Sequence, residues 1–136
     1  ELIQRAKFTM IYNSTIGMEA SIMGEPVLCA GKARFTQYPT VFFPQSVDAY
    51  KEKLEEFLNT ESIEVPAEFK RNARRFLYYQ LYFSSLPFGE YLETGVRTSH
   101  GLLKDFDLAR LSPENSPVIK TILDGVLDNG DFLLKE

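Results

Sequence analysis

Tryptophan is absent, cysteine and histidine occur once each, and no apolar run approaches the ~20 residues of a membrane-spanning helix. Each shortage removes a class of function. With Cys29 alone there is no internal disulfide and no cysteine-rich metal site. Cys29 also lies in an apolar stretch, where a buried, inert thiol is expected. His100 sits in the polar segment Thr98-Ser99-His100-Gly101 and is read as structural, because no serine–histidine–acid order accompanies it. No metal-ligand cluster is present, and neither a GxGxxG nor a Walker phosphate loop occurs. Asp124, Asp128 and Asp131 lack the spacing and distal glutamate of a calcium loop, and Asp105 and Asp107 read as solvated loop carboxylates. Neither a metal nor a cofactor is expected.

The chain also shows no signal-peptide pattern, so the expected compartment is the cytoplasm. Its opening, Glu1-Leu2-Ile3-Gln4-Arg5-Ala6, reads as the last turns of a helix running straight into a strand. No initiator methionine or capping signal stands ahead of it, which predicts a fragment of a longer protein.

What is present is an ordinary folded composition. The 136 residues are 44% hydrophobic and 25% charged, enough to bury a real core. The net charge of -4 argues against nucleic acid as a general partner. The most organised stretch is Phe8 to Gly31. Phe8-Thr9-Met10-Ile11-Tyr12 is a short β-favouring run, as expected of a strand buried on both faces. Asn13-Ser14-Thr15 offers capping side chains, with Ser14 or Thr15 placed to accept a first-turn amide. Ile16 to Met23 reads as a short helix closed by a left-handed Gly24. Pro26 blocks continuation, and Val27-Leu28-Cys29-Ala30 is a second buried strand. The unit is therefore a parallel βαβ, and the fold class is α/β. Its helix N-terminus falls at the carboxyl edge of the sheet, where α/β proteins bind ligands.

Beyond it, Lys32 to Pro39 is a polar and aromatic loop at that same edge. Thr40 to Pro44 reads as a proline-bounded edge strand. Ser46 caps a helix whose apolar positions Tyr50, Leu54, Phe57 and Leu58 follow helical spacing. Pro66 opens another helix, roughly 67–85, basic at Lys70, Arg71, Arg74 and Arg75 and aromatic over Phe76 to Phe83. The aromatic half is expected to be a core helix wedged against the sheet or against a missing neighbouring domain, with a membrane surface or a partner as the alternative. The tail is less regular, apart from a helix over Val118 to Leu127 with Ile119, Ile122, Leu123 and Val126 on one side.

Chemistry can be assembled at the first helix start. Ser14, Thr15 and the first-turn amides form an anion site, since unpaired N–H groups and the positive dipole end favour a phosphate. Gly17 removes a side chain where a ligand or neighbouring backbone would approach. Glu19, one turn on, suits sugar hydroxyls better than a phosphate, with a solvated helix carboxylate as the plainer reading. Lys32 and Arg34 could neutralise a phosphate from the facing loop, or serve simply as surface charges.

Tyr12-Asn13-Ser14-Thr15-Ile16-Gly17-Met18-Glu19-Ala20, followed by Gly24-Glu25-Pro26-Val27, resembles the C-terminal nucleotide-sugar-binding half of GT-B-fold glycosyltransferases. Among these it is most similar to bacterial capsule or surface polysaccharide biosynthesis proteins. Ala30 to Thr36 and Ser46 to Tyr50 continue the pattern, which covers residues 1–58 and extends through the next helix to about 85. The resemblance implies a Rossmann-like three-layer parallel sheet, a partial GT-B half over residues 1–65, with a helical C-terminal extension over 66–136. It implies that Asn13, Ser14, Thr15, Gly17, Glu19, Lys32 and Arg34 bind a nucleotide-sugar donor. Ser14 and Thr15 would hold the donor phosphate and Glu19 the ribose. The implied partners are that donor, a saccharide or lipid-linked acceptor, and an N-terminal domain of the same protein. That domain would carry the catalytic base, so no catalytic residue is assigned here, and peripheral association with the inner face of the membrane is compatible with the family. The alternatives are a sugar-nucleotide epimerase, which shares the short pattern, and a non-catalytic nucleotide- or partner-binding module.

Overall fold

A computed structural model describes residues 1–93 and 101–134, and His100 lies outside the described residues. The described chain is mixed α/β, with a two-stranded parallel sheet and five α-helices. The helices are α1 (Leu2–Arg5), α2 (Ile16–Met23), α3 (Val47–Asn59), α4 (Ala67–Tyr82) and α5 (Pro117–Leu127), and the strands are β1 (Thr9–Ile11) and β2 (Val27–Cys29). The chain divides into two compact units, Glu1–Tyr78 and Tyr79–Glu136.

The N-terminal unit is built on β1, α2 and β2. Gly24 takes φ of +94° and donates its N–H to the carbonyls of Ala20 and Ser21, which ends α2 as its lack of a side chain permits. The strands pair in parallel, Thr9 opposite Val27 and Ile11 opposite Cys29. On the far side of β2, Phe42 accepts from the Cys29 N–H (2.9 Å) and donates to the Val27 carbonyl (3.0 Å). The strand expected over Thr40 to Pro44 is therefore reduced to one parallel bridge. The next ladder bond would need an N–H from Pro44, which has none.

Alternation along the strands sorts the core into two groups. Ile11, Val27 and Cys29 face Met18 and Ala20 of α2, together with Phe35, Val41 and Ala73. On the other side the Phe57 ring meets Phe8 at 5.3 Å and Phe42 at 5.0 Å, and Phe69 meets Phe42 at 5.1 Å. β1 is not buried on both faces as its apolar run suggests. Its outer side is covered at Phe8 and open at Met10, which is 52% exposed.

A buried polar link ties α2 to the segment before Phe42. The Ser21 hydroxyl donates to the Thr40 carbonyl at 2.5 Å, and the Thr40 hydroxyl donates to the Phe35 carbonyl at 2.8 Å. Ser21 and Thr40 are both fully buried, so neither group can turn to water. Ser21→Ala is expected to strand the Thr40 carbonyl and cost about 1–3 kcal/mol. Urea unfolding followed by far-UV circular dichroism measures this, and a cost near zero would mean that the carbonyl finds water.

α3 is capped as its sequence predicts, the Ser46 hydroxyl accepting from the Ala49 N–H at 3.1 Å. Lys7 closes its far end by donating to the Leu58 carbonyl at 2.9 Å. α4 is covered by this chain along one stripe only. Phe69 and Ala73 are buried and Phe76 and Leu77 pack on the core, but Tyr78, Tyr79, Leu81, Tyr82 and Phe83 are exposed. A helix with one covered stripe turns its remaining aromatics outward, however many it carries.

In the C-terminal unit, Tyr91 is buried between Phe88 and Phe106, and its hydroxyl donates to the Arg110 carbonyl at 2.9 Å. Leu92 and Leu103 form an antiparallel bridge. The apolar side of α5 also differs from the periodicity reading. Val118 and Gly125 are buried while Val126 is 65% exposed, because the Phe132 ring folds back onto Gly125 and sets the helix rotation.

Candidate functional site

Three parallel segments, β1, β2 and the Phe42 bridge, send their following loops to one edge of the sheet. Pairing persists past the strand ends there. Ala30 donates to the Ile11 carbonyl at 2.9 Å and Gly31 to the Tyr12 carbonyl at 2.6 Å. The two loops therefore start side by side, Asn13 leaving one strand as Lys32 leaves the other. The Tyr12 ring lies over Gly31 so closely that a β-carbon on Gly31 would come within 2.9 Å of it. A side chain at position 31 would displace the exposed Tyr12 ring from this place. Tyr12 itself is 72% exposed and belongs to the same edge, although its place in an apolar strand run gave no functional signal.

Asn13, Ser14, Thr15, Glu19, Lys32 and Arg34 are all exposed. Glu19, Lys32 and Arg34 form no ion pair among the described residues, so their charges are available to a ligand. Glu19 lies on the solvent side of α2, opposite the buried Gly17, Met18, Ala20 and Ser21. Arg34 opens a short 3-10 turn, Arg34–Gln37, held by the Ala33 N–H donating to the Thr36 hydroxyl at 3.0 Å.

Two features of the helix start differ from the capping expected. Thr15 makes no side-chain cap bond, and Ser14 Oγ receives only a long 3.4 Å contact from the Ile16 N–H. The Gly17 and Met18 amides are taken up by the carbonyls of Ser14 and Thr15, at 3.1 and 3.0 Å. The groups that remain for an anion are the two hydroxyls and the Ile16 amide. The space beside Gly17 is filled as well: a β-carbon there would sit 2.2 Å from Ile11 Cδ1 and 3.4 Å from Val27 Cγ1. Gly17 thus serves strand–helix packing, the place of its missing side chain being taken by Ile11.

No family model, curated protein or solved structure matches this chain. The site therefore stands on its own geometry.

Beneath the edge, the Cys29 thiol is fully buried, its single S–H shared between the Tyr12 and Gly31 carbonyls, each at 3.1 Å. Burial pushes its pKa up, the bond to Gly31 opposing this in part, so it stays a neutral thiol. The Tyr50 phenol is pushed up too, by burial first and then by the charge that an ionised Cys29 would carry. A surface pocket occurs elsewhere, lined by Phe42, Glu56, Phe57, Thr60, Ser62, Ile63 and Glu64 at the C-terminal end of α3. None of the seven candidate residues lines it. Among the described residues no cluster of histidine, cysteine and carboxylates is placed to hold a metal ion, and no helix is long and apolar enough to cross a membrane.

Proposed function

We propose that this chain is the donor-binding part of a glycosyltransferase that uses a nucleotide-activated sugar, acting in bacterial capsule or surface polysaccharide assembly. In this reading residues 1–65 are part of a Rossmann-like three-layer GT-B half. The acceptor, a saccharide or a lipid-linked saccharide, would meet an N-terminal domain of the same protein. The observation that carries the proposal is the pairing of Gly31 with Tyr12, which sets the loop bearing Ser14 and Thr15 beside the loop bearing Lys32 and Arg34. A diphosphate laid across that edge would meet two hydroxyls, one amide and two unpaired cations, while Glu19 accepts from ribose hydroxyls. The contribution to catalysis would be positioning of the donor and stabilisation of charge on the departing phosphate.

Isothermal titration with a panel of UDP-, GDP- and CMP-sugars tests this. One donor class is expected to bind, and Ser14→Ala and Glu19→Ala are each expected to weaken it about tenfold, the loss of one hydrogen bond of about 1.4 kcal/mol. Unchanged affinity in both variants would remove the site assignment. No binding to any member of the panel would remove the proposal.

A further inference from the structure

One large group at the sheet edge is free of the contacts proposed for the donor. Tyr12 follows β1 directly, and it is 72% exposed. The point where a β-carbon on Gly31 would stand is 2.9, 2.9 and 3.0 Å from Tyr12 Cε1, Cζ and Cε2. A point equally far from three atoms of a ring lies on the axis through the ring's centre. The ring therefore rests flat over Gly31 with one face, and its exposure leaves the other face to solvent. The backbone beneath is fixed, because the Gly31 N–H donates to the Tyr12 carbonyl and Gly31 itself is buried. Among the described residues Tyr12 pairs with no other ring, and its hydroxyl has no hydrogen-bond partner. An aromatic face held at the ligand edge and left bare is a stacking surface.

We propose that this face carries the sugar ring of the donor, an inference that rests on the donor reading above. The order of groups in the ligand selects the sugar over the base. In a sugar nucleotide the phosphates stand between the ribose and the sugar. Tyr12 and Glu19 flank the turn that bears Ser14 and Thr15, Tyr12 on its strand side and Glu19 on its helix side. With the ribose at Glu19 and the phosphates at the two hydroxyls, the sugar falls toward the strand side, over Gly31 and next to Lys32. A pyranose presents C–H groups on part of its surface. The face of an aromatic ring is negative, so C–H groups carrying partial positive charge rest on it. A sugar that turns hydroxyls onto this face loses that attraction, which makes Tyr12 a specificity-determining residue.

Isothermal titration of the full chain compares each sugar nucleotide with its bare nucleotide: UDP-glucose with UDP, GDP-mannose with GDP, and CMP-sialic acid with CMP. For the pair that the parent binds, Tyr12→Ala is expected to weaken the sugar nucleotide about fivefold and to leave the bare nucleotide unchanged. Tyr12→Phe keeps the face and should bind both as the parent does. Gly31→Ala keeps the ring but moves it, since the new β-carbon takes the ring's place. It should reproduce the loss, and adding it to Tyr12→Ala should cost nothing more, because both changes remove one contact. Proton NMR reads the contact directly: C–H signals of the bound sugar should move upfield in the parent, shielded by the ring, and not in Tyr12→Ala. Tyr12 is exposed, so circular dichroism and melting of Tyr12→Ala should match the parent. Equal weakening of both ligands in Tyr12→Ala would put the ring against the base or the phosphates and overturns the proposal. Unchanged affinity for both overturns it as well, as does a parent that binds a bare nucleotide and none of the sugar nucleotides. In the first two cases the donor still binds and the donor reading stands. A parent that binds none of these ligands overturns both.

Discussion

Phe57→Ala is expected to destabilise the N-terminal unit by about 3–5 kcal/mol. Phe57 is 1% exposed and sits edge-on to two other rings, Phe8 at 5.3 Å and Phe42 at 5.0 Å. Its removal forfeits the transfer free energy of a whole ring and two aromatic pairs of about 0.5–1.5 kcal/mol each. The cavity could not close easily, because its walls belong to three separately anchored segments. Phe8 is held by β1, Phe42 by its bridge to β2, and Phe57 by a helix pinned at Ser46 and at Lys7. Phe57→Leu keeps much of the volume and is expected to cost about half as much. Far-UV circular dichroism during urea unfolding is the measurement, since the chain has no tryptophan to report by fluorescence. The consequence reaches the candidate site. Phe42 is the third parallel segment at the sheet edge, and a loosened Phe42 frees the loop that carries Lys32 and Arg34. If alanine costs less than about 1 kcal/mol, well below the range for a buried ring, the aromatic group does not hold that side of the sheet.

Tyr91→Ala is expected to have a comparable effect on the C-terminal unit, about 3–5 kcal/mol. Tyr91 is 1% exposed, and three kinds of contact converge on it. Its ring packs against Phe88 at 5.2 Å and Phe106 at 5.1 Å. Its hydroxyl donates to the Arg110 carbonyl, and its own carbonyl accepts from the Lys104 N–H at 2.9 Å. Beside it, Glu90 receives the Ser116 hydroxyl at 3.2 Å and lies 3.7 Å from the Arg110 guanidinium. Tyr91→Phe separates the ring from the hydroxyl and is expected to cost about 1–3 kcal/mol, since it leaves the Arg110 carbonyl unpaired. Hydrogen exchange at the Glu93 and Lys104 amides, which close the Leu92–Leu103 bridge, reads the result directly. Faster exchange in Tyr91→Ala than in Tyr91→Phe is expected. Equal exchange in both would mean that the hydroxyl, not the ring, organises this unit.

The strand–helix–strand order over residues 9–29, the Gly24 stop and the Ser46 cap were legible because each is local. A residue in the left-handed region, a proline that cannot donate, or a hydroxyl three residues from an amide acts whatever lies around it. The candidate residues were legible for the same reason in part: polar groups that follow two strands of a parallel pair share an edge. The sequence by itself thus determined the α/β class and the placement of Asn13, Ser14, Thr15, Lys32 and Arg34 at one edge of the sheet. It could not determine that Gly17 is closed off by Ile11, that the Gly17 and Met18 amides are already paired, or that Pro44 cuts the third strand to one bridge. Nor could it show that Tyr91 gathers residues 88, 106 and 110, or that most of the aromatic half of α4 faces outward. Those outcomes depend on which distant side chain arrives to fill a given space. Periodicity records the spacing of apolar groups along a helix, but only the packed structure sets the rotation that decides which of them are covered.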